Sequence, residues 1–314
     1  MFPFTLMREG ILGINARNVD YLFPSNPRKL YKLADNKLET KRIAEEFNVP
    51  IPETYGVISF QNEVGKLSEI IDGHDSFVVK PAQGSGGDGI EAIVEVTDEG
   101  FKKPSGKILS KSDLQYHIHN ILGGVFSLGG LSDKTIIEYA VQFDPVFDEI
   151  AYQGIPDIRV IIYQGVPVMG MLRLPTKASD GKANLHRGGL GLGIDLATGK
   201  TLTAIQNNRY IEKHPDTDAT LRDRQIPHWD TILNMAAKLC EKTEFGYLGI
   251  DVVLDEEKGP LLLEINARPG LSIQIANQEG LIPRLKTVDS CVNKLSGIEE
   301  KINFAKDKFA VNTR

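Results

Sequence analysis

Two acids in apolar surroundings are the first place in this sequence where chemistry can sit. Asp251 lies in Gly249-Ile250-Asp251-Val252-Val253, and Glu264 in Leu261-Leu262-Leu263-Glu264-Ile265-Asn266. A carboxylate flanked by Ile, Leu and Val is costly unless it is paired or meets a cation. Asp255-Glu256-Glu257-Lys258-Gly259 between them reads as a charged hairpin turn, which lets the two acids meet on one face. Glu264 and Asn266 are two apart on a strand, so their side chains point to the same side. Two carboxylates and an amide oxygen make a hard, oxygen-rich set suited to Mg²⁺ bridging the phosphates of a nucleotide. The bland alternative is alternation on an edge strand, and the apolar flanks argue against it.

A second constellation lies earlier. Phe77-Val78-Val79 is a buried strand ending at Lys80-Pro81, and Gly84-Ser85-Gly86-Gly87-Asp88-Gly89 follows. The glycines match G-x-G-x-x-G, but a β-branched run, Ile90 to Val96, comes next. The dinucleotide fingerprint needs a helix there to hold the pyrophosphate, so that reading is rejected. No Gly-Lys-Ser/Thr ends the loop, so it is not a P-loop. What remains is strand, loop, strand: a flap whose backbone N–H groups can close over phosphates. Lys80 is a point-like cation beside that cradle and would be expensive if buried alone. Protein kinases place their lysine after the loop, and His-Arg-Asp and Asp-Phe-Gly are both missing here.

The elements that must position these residues follow from periodicity and breakers. A helix is predicted over about Asn36–Phe47, ended by Pro50 and Pro52, then a strand over Thr54–Phe60 and a helix over Glu63–Ile71. Ile90–Val96 is predicted as one strand, and Ile136–Tyr139 as another. Arg159–Tyr163 and Val166–Leu172 read as a hairpin turning at Gln164-Gly165. Residues 175–193 read as a long polar loop. His228–Lys242 is an amphipathic helix with Ile232, Leu233, Ala236, Leu239 and Cys240 inward, and further helices run over about Leu281–Ala305. Residues 1–30 read as short and irregular. The mixture is α+β with antiparallel hairpins rather than a βαβ series.

The chain has 314 residues, 36 Lys+Arg against 42 Asp+Glu, and a net charge of −6. An acidic chain is a poor general binder of nucleic acid, so any anionic ligand must be held by a local positive cluster. Cys240 and Cys291 show no metal-type spacing and read as thiols in a reducing, cytoplasmic setting. No window reads as a membrane span, and Met1–Glu9 has the wrong order for a signal peptide. His117, His119, His214 and His228 show no metal spacing. The apolar Gly-rich run Leu122–Leu131 reads by default as a loop, with a mobile lid or an oligomer contact as alternatives.

Taken together these residues resemble the ATP-grasp superfamily of carboxylate–amine ligases. The matching runs are Asp35-Asn36-Lys37, Val79-Lys80-Pro81 with the glycine loop, Ile137-Glu138-Tyr139, Asp157-Ile158-Arg159, Asn184-Leu185-His186-Arg187-Gly188-Gly189, Gly249-Ile250-Asp251 and Glu264-Ile265-Asn266-Ala267-Arg268-Pro269-Gly270, across about residues 31–285. The Asn184–Gly189 run is most similar to the RimK-type α-L-glutamate ligases, in their α-L-glutamate ligase-like branch. The resemblance implies an α+β ATP-grasp fold, two lobes with antiparallel sheets clasping the nucleotide. It also implies a short segment, 1–30, in place of an N-terminal domain, a lobe over 31–140 carrying the flap, and a lobe over 141–314 carrying the metal site.

Residue by residue, the resemblance implies that Lys37 and Lys80 contact the α- and β-phosphates and that the loop (Gly84, Ser85, Gly86, Gly87, Gly89) covers them. Glu138, with the backbone of Tyr139 and Ala140, edges the adenine, and Asp144, Asp148 and Glu149 are unranked candidates for the ribose. Asp251, Glu264 and Asn266 hold Mg²⁺, or Mn²⁺ in its place. Arg268 and Arg173 stabilise the transferred phosphoryl group, while Arg159, Asn184, His186 and Arg187 meet the substrate. The expected reaction is ATP-dependent amide bond formation through an acyl phosphate, with a small carboxylate (glutamate is the named candidate) and an amine on a small molecule, peptide or protein. Self-association stays open. Two alternatives are a nucleotide-binding scaffold that has lost ligation and a small-molecule phosphotransferase.

Overall fold

The computed structural model describes residues 10–84 and 86–311. Expectations that fall on residues 1–9 or on Ser85 lie outside the described residues. The chain forms two compact units, one of residues 36–41 and 51–142, the other of residues 10–35, 42–50 and 143–311.

In the smaller unit, β1 (Thr54–Ile58), β2 (Phe77–Pro81), β3 (Glu91–Ile93) and β7 (Thr135–Glu138) form an antiparallel sheet in the order β1-β7-β2-β3. The predicted single strand over Ile90–Val96 is two. It breaks at Val94, and β4 (Glu95–Thr97) joins β5 (Gly100–Lys102) and β6 (Ile108–Leu109) in a separate three-stranded sheet. Alternation alone cannot show that a strand changes partners partway. The predicted helix over Glu63–Ile71 is a 3₁₀ stretch, Gln61–Lys66, followed by one α-helical turn, Leu67–Ile70. The helix over Asn36–Phe47 is present as α1 (Lys37–Glu46). A further helix, α2 (Lys111–Leu122), was not anticipated, although Ser110-Lys111-Ser112-Asp113 carries its signal. The Ser110 hydroxyl accepts from the Asp113 N–H and the Asp113 carboxylate accepts from the Ser110 N–H, a capping box. Leu114, Ile118 and Ile121 of α2 pack with Ile58, Phe77, Val79 and Ile137 in one core.

The larger unit is built on a seven-stranded antiparallel sheet. Its strands are β8 (Asp157–Tyr163), β9 (Val166–Leu174), β10 (Leu190–Ile194), β11 (Thr201–Gln206), β12 (Arg209–Ile211), β13 (Tyr247–Asp255) and β14 (Gly259–Asn266), in the order β12-β11-β10-β9-β8-β13-β14. Both predicted hairpins are observed, with Gln164 and Gly165 at positive φ in the first turn. The predicted polar loop over 175–193 ends early, because Leu190–Ile194 pairs as β10. Its Leu-Gly-Leu-Gly-Ile alternation hid a strand.

The two faces of this sheet are covered differently. On one, Trp229 at the start of α3 (Trp229–Thr243) fills the space above Gly170, where a Cβ would lie 3.0 Å from its ring. Ile232, Leu233, Ala236, Leu239 and Cys240 of α3 are buried as expected. The helices expected over about Leu281–Ala305 are present as α4 (Leu281–Cys291) and α5 (Gly297–Lys308), with the 3₁₀ turn Val292–Lys294 and Leu295-Ser296 between them. On the other face, the short helix Ile273–Ala276 crosses β10 at Gly193, where a Cβ would come within 2.6 Å of the Ala276 carbonyl oxygen. Of the segment 1–30, expected to be irregular, the described residues 10–30 are mostly short helical turns, and Leu12, Tyr21, Leu22 and Leu30 are buried. No helix among the described residues is long and apolar enough to cross a membrane.

Because Gly193 meets backbone rather than a yielding side chain, Gly193→Ala is expected to cost about 1–3 kcal/mol. Thermal unfolding should show a midpoint several degrees lower, and an unchanged midpoint would refute this packing.

Candidate functional site

The sheet register lines up the charged residues of the larger unit. Asp251 on β13 stands opposite Arg159 on β8 and opposite Glu264 on β14, while Asp157 stands opposite Arg173 on β9. Directly opposed residues share a face, so these side chains converge on the face away from Trp229. The β13–β14 register shifts just after Asp251, a bulge that sets Glu264 against it.

Asp251 is 1% exposed, and both of its oxygens are engaged. Arg159 grips it in a bidentate pair, Nε to Oδ1 at 2.7 Å and Nη2 to Oδ2 at 2.5 Å. Arg173 Nη2 donates to the same Oδ2 at 2.8 Å, and Arg173 Nε donates to Asp157. Burial alone would push the Asp251 carboxyl up, but Arg159 and Arg173 outweigh it and hold the group well below the usual carboxylate range. Asp157 is pushed up to about 6 by burial, against the pull of Arg173 and with the help of Asp251's charge. For Arg173, burial favours the neutral form, and Asp157 and Asp251 more than reverse that. In this structure Arg159 and Arg173 therefore hold Asp251 and Asp157 in place.

Glu264 is half-buried and hydrogen-bonds Asp251. Asn266, two residues on and on the same side, accepts the Arg268 N–H through Oδ1 at 3.1 Å and so starts a turn. That turn folds back over β13, because Gly249, opposite Asn266, has no side chain. A Cβ there would lie 2.7 Å from Pro269 Cβ. Arg17, 8% exposed, donates from Nη1 to the Pro269 carbonyl at 2.9 Å, while its Nε and Nη2 donate to Asn18 Oδ1. The Arg268 guanidinium is about half exposed. It stacks 4.4 Å from the centre of the Tyr31 ring, with Nη1 3.6 Å from Asp35. The role of Arg17 was not legible in the sequence, since its partner lies 252 positions away.

In the smaller unit, Glu138 is the hub. It is 3% exposed, forms an ion pair with Lys80, and lies 2.8 Å from Lys41 Nζ. Lys41 belongs to this cluster although the sequence motifs did not single it out, and it falls one helical turn after Lys37 on α1. Lys41 Nζ also donates to the Pro52 carbonyl at 2.5 Å, and Lys37 Nζ donates to the Gly84 carbonyl at 2.6 Å. Lys41 and Lys80 share the one Glu138 carboxylate, so the group carries a net positive charge. The Tyr139 N–H donates to the Glu53 carbonyl, and the Ala140 carbonyl accepts from Gln142.

The loop is a flap between paired strands, since β2 and β3 lie side by side. Gly86, Gly87 and Gly89 have φ of 65°, 78° and 77°, a region that side chains disfavour. The Gly-rich run 122–131 now has a place. Ser127 bridges to Gly84, Phe126 packs where a Gly89 Cβ would sit, and His117 Nε2 lies 2.9 Å from the Gly89 carbonyl.

The remaining candidates are all in the larger unit. Asp144 caps the Pro145–Phe147 turn, Glu149 pairs with Arg224 at 2.7 Å, and Asp148 is exposed. Asn184 Oδ1 accepts the His186 N–H at 2.9 Å, and both His186 and Arg187 are exposed. Among the described residues no group of three His, Cys, Asp or Glu could hold a metal ion. Both cysteines are free thiols, Cys240 being buried.

Compared with family models, residues 16–290 match the one described as sugar-transfer associated ATP-grasp. No curated protein matches the chain. Among solved structures it is similar to the D-cycloserine synthetase DcsG at 13% identity, covering 85% of this chain and 72% of that one, with a TM-score of 0.47. The ATP-grasp ligase PsnB complexed with a minimal precursor gives 9%, 86%, 63% and 0.46 in the same order. D-alanyl-alanine synthetase A from Vibrio cholerae O1 biovar eltor gives 14%, 89%, 66% and 0.45. The chain thus spans about two thirds of these structures. The α+β architecture with antiparallel sheets is the ATP-grasp fold.

Removing one partner of a buried ion pair strands the other charge. Arg159→Met should destabilise the protein by about 3–5 kcal/mol in chemical denaturation. Adding Asp251→Asn should recover part of that loss, and a double variant no more stable than the single one would contradict the pairing.

Proposed function

The chain belongs to the sugar-transfer associated ATP-grasp family, and from that membership we propose that it is an ATP-dependent ligase joining a carboxylate to an amine. The observation that carries this reading is the acid set: Glu264 directly across from Asp251, Asn266 two residues on, and Arg268 just beyond. Asp251 and Glu264 lie within hydrogen-bond reach of each other, and with the Asn266 amide oxygen they offer the hard oxygen donors that Mg²⁺ takes. The donors therefore fit Mg²⁺. Glu264 and Asn266 would hold it, with Asp251 contributing the lone pairs that Arg159 and Arg173 leave. When bound, the ion supplies neutralisation of phosphate charge.

The chain's own residues do the rest. Lys37, Lys41, Lys80 and the N–H groups of the Gly84–Gly89 flap take the phosphates of ATP, and the backbone at Tyr139 and Ala140 borders the adenine. Glu138 keeps Lys41 and Lys80 in position. A substrate carboxylate oxygen attacks the γ-phosphorus, the bond to the bridging oxygen breaks, and ADP leaves with the electron pair. The amine nitrogen then attacks the acyl carbon, the carbon–oxygen bond to phosphate breaks, and phosphate departs while a proton passes from nitrogen to solvent. Such transfer depends on positioning and charge stabilisation more than on a protein nucleophile. Arg268 is assigned to meet the transferred phosphoryl group, a role supported by its half-exposed guanidinium, which stacks on Tyr31 with Nη1 3.6 Å from Asp35. Glutamate is the candidate acid, supported by the Asn184–Gly189 motif.

An ADP-release screen of amino acids paired with amines, read by mass spectrometry, tests the reading. Release only when acid and amine are both present supports it. A lasting phosphorylated product points instead to a phosphotransferase. Glu264→Ala should lower Mg²⁺-dependent turnover at least about a hundredfold, the equivalent of several kcal/mol of charge stabilisation. Unaffected turnover would remove the metal assignment.

A further inference from the structure

A hollow of about 260 Å³ opens in the larger unit, lined by Leu185, His186, Ile205, Asn207, Asn208 and Ser272. The sheet register shows which face it is on. One row runs Asp157, Arg173, Gly191, Ile205, Tyr210 across β8 to β12. Ile205, in the floor of the hollow, therefore shares the face of Arg173 and Asp251. It lies two strand spacings from Arg173, about 10 Å. Gly191, between them, leaves room for the Asn184–Gly189 loop: a Cβ there would lie 2.9 Å from both Leu185 Cδ2 and Met171 Sδ. Leu185 occupies that slot and so fixes His186 at the rim.

The lining has an unusual composition for a site beside so many charges. Leu185 and Ile205 are apolar, while His186, Asn207, Asn208 and Ser272 are hydrogen-bonding groups without a carboxylate, guanidinium or ammonium among them. The His186 ring makes no hydrogen bond among the described residues. Directly opposite Ile205 on the edge strand, Tyr210 is 59% exposed. Neutral amides, a hydroxyl and an imidazole beside an exposed aromatic ring suit a ligand with many hydroxyls and an apolar C–H face, a sugar ring. Small-molecule sites fix orientation through such a few placed polar groups over an apolar surface.

We propose that this hollow is the acceptor subsite and that the amine is carried on a neutral, hydroxylated sugar-like body. The proposal rests on the ligase reading and names its acceptor. The sugar ring lies on Leu185, Ile205 and Tyr210, its hydroxyls meet Asn207, Asn208 and Ser272, and its amine faces the Arg173 end of the row.

Asn207 and Asn208 have φ of 50° and 61°, the two central positions of the β11–β12 turn. Glycine suits such positions better than any other residue, so Asn207→Gly and Asn208→Gly remove the amides while relaxing the backbone. With Tyr210→Ala they give a variant expected to fold. The probe is methyl β-D-glucosaminide, followed by saturation-transfer NMR and by ADP release with ATP, Mg²⁺ and L-glutamate. The wild type should show transfer to the sugar C–H protons, and the triple variant should bind at least tenfold more weakly while its affinity for ATP stays unchanged. Equal binding by both proteins would overturn the location. If the aminoglycoside does not bind while simple amines support ADP release, the sugar acceptor is wrong and the ligase reading stands. If it binds in the hollow but no acid–amine pair releases ADP, the subsite stands and the ligase reading falls.

Discussion

The grip of two guanidiniums on Asp251 is the constraint on which the larger unit depends. A carboxylate that is 1% exposed would be untenable alone. Arg159 and Arg173 keep it ionised, and they can do so only because β8, β9 and β13 are neighbours in a fixed register. A one-residue slip of any of these strands would turn its charges to the other face. The ion-pair row thus locks the register that sets Glu264 beside Asp251. Asp157 belongs to the same network, so the charges of two adjacent rows are coupled across three strands. A buried network of this kind is weak evidence for net stability, because its desolvation cost is large. Its value here is geometric.

The second constraint is the turn after Asn266. Three residues from two stretches hold it: Gly249 gives Pro269 room, Arg17 binds its carbonyl, and Tyr31 supports Arg268. Leu12 and Gln274 exchange hydrogen bonds through N–H to Oε1 at 2.8 Å and Nε2 to O at 3.1 Å, tying the same N-terminal stretch to the segment just beyond the turn. Residues 10–35 therefore brace the side of the unit where the acid set lies. The smaller unit repeats the logic with opposite sign. There Glu138 fixes lysines, and Phe126 and His117 support the glycine flap from beneath.

Much of this was legible from residue types. Asp251 and Glu264 declare themselves by sitting in apolar strands, Lys80 by ending one, and the hairpins by their turn residues. What stayed hidden depends on distant partners. That Arg159 and Arg173 hold Asp251 follows from register, which no local pattern states. Arg17 looks like any arginine in a polar stretch until Pro269 is placed above Gly249. Strand β10 was taken for loop because glycines at 191 and 193 dilute its alternation, and those glycines are there for Leu185 and the Ile273–Ala276 helix to pack against. The break at Val94 has no sequence marker. α2 was missed although its capping box was in plain view.

The central claim is that a carboxylate is activated by ATP before an amine attacks it, and oxygen-isotope transfer tests that step directly. With an acid substrate labelled by ¹⁸O in its carboxylate, one labelled oxygen should appear in the released phosphate, because the acyl carbon–oxygen bond breaks when the amine adds. Phosphate free of label, formed together with the amide, would contradict the account.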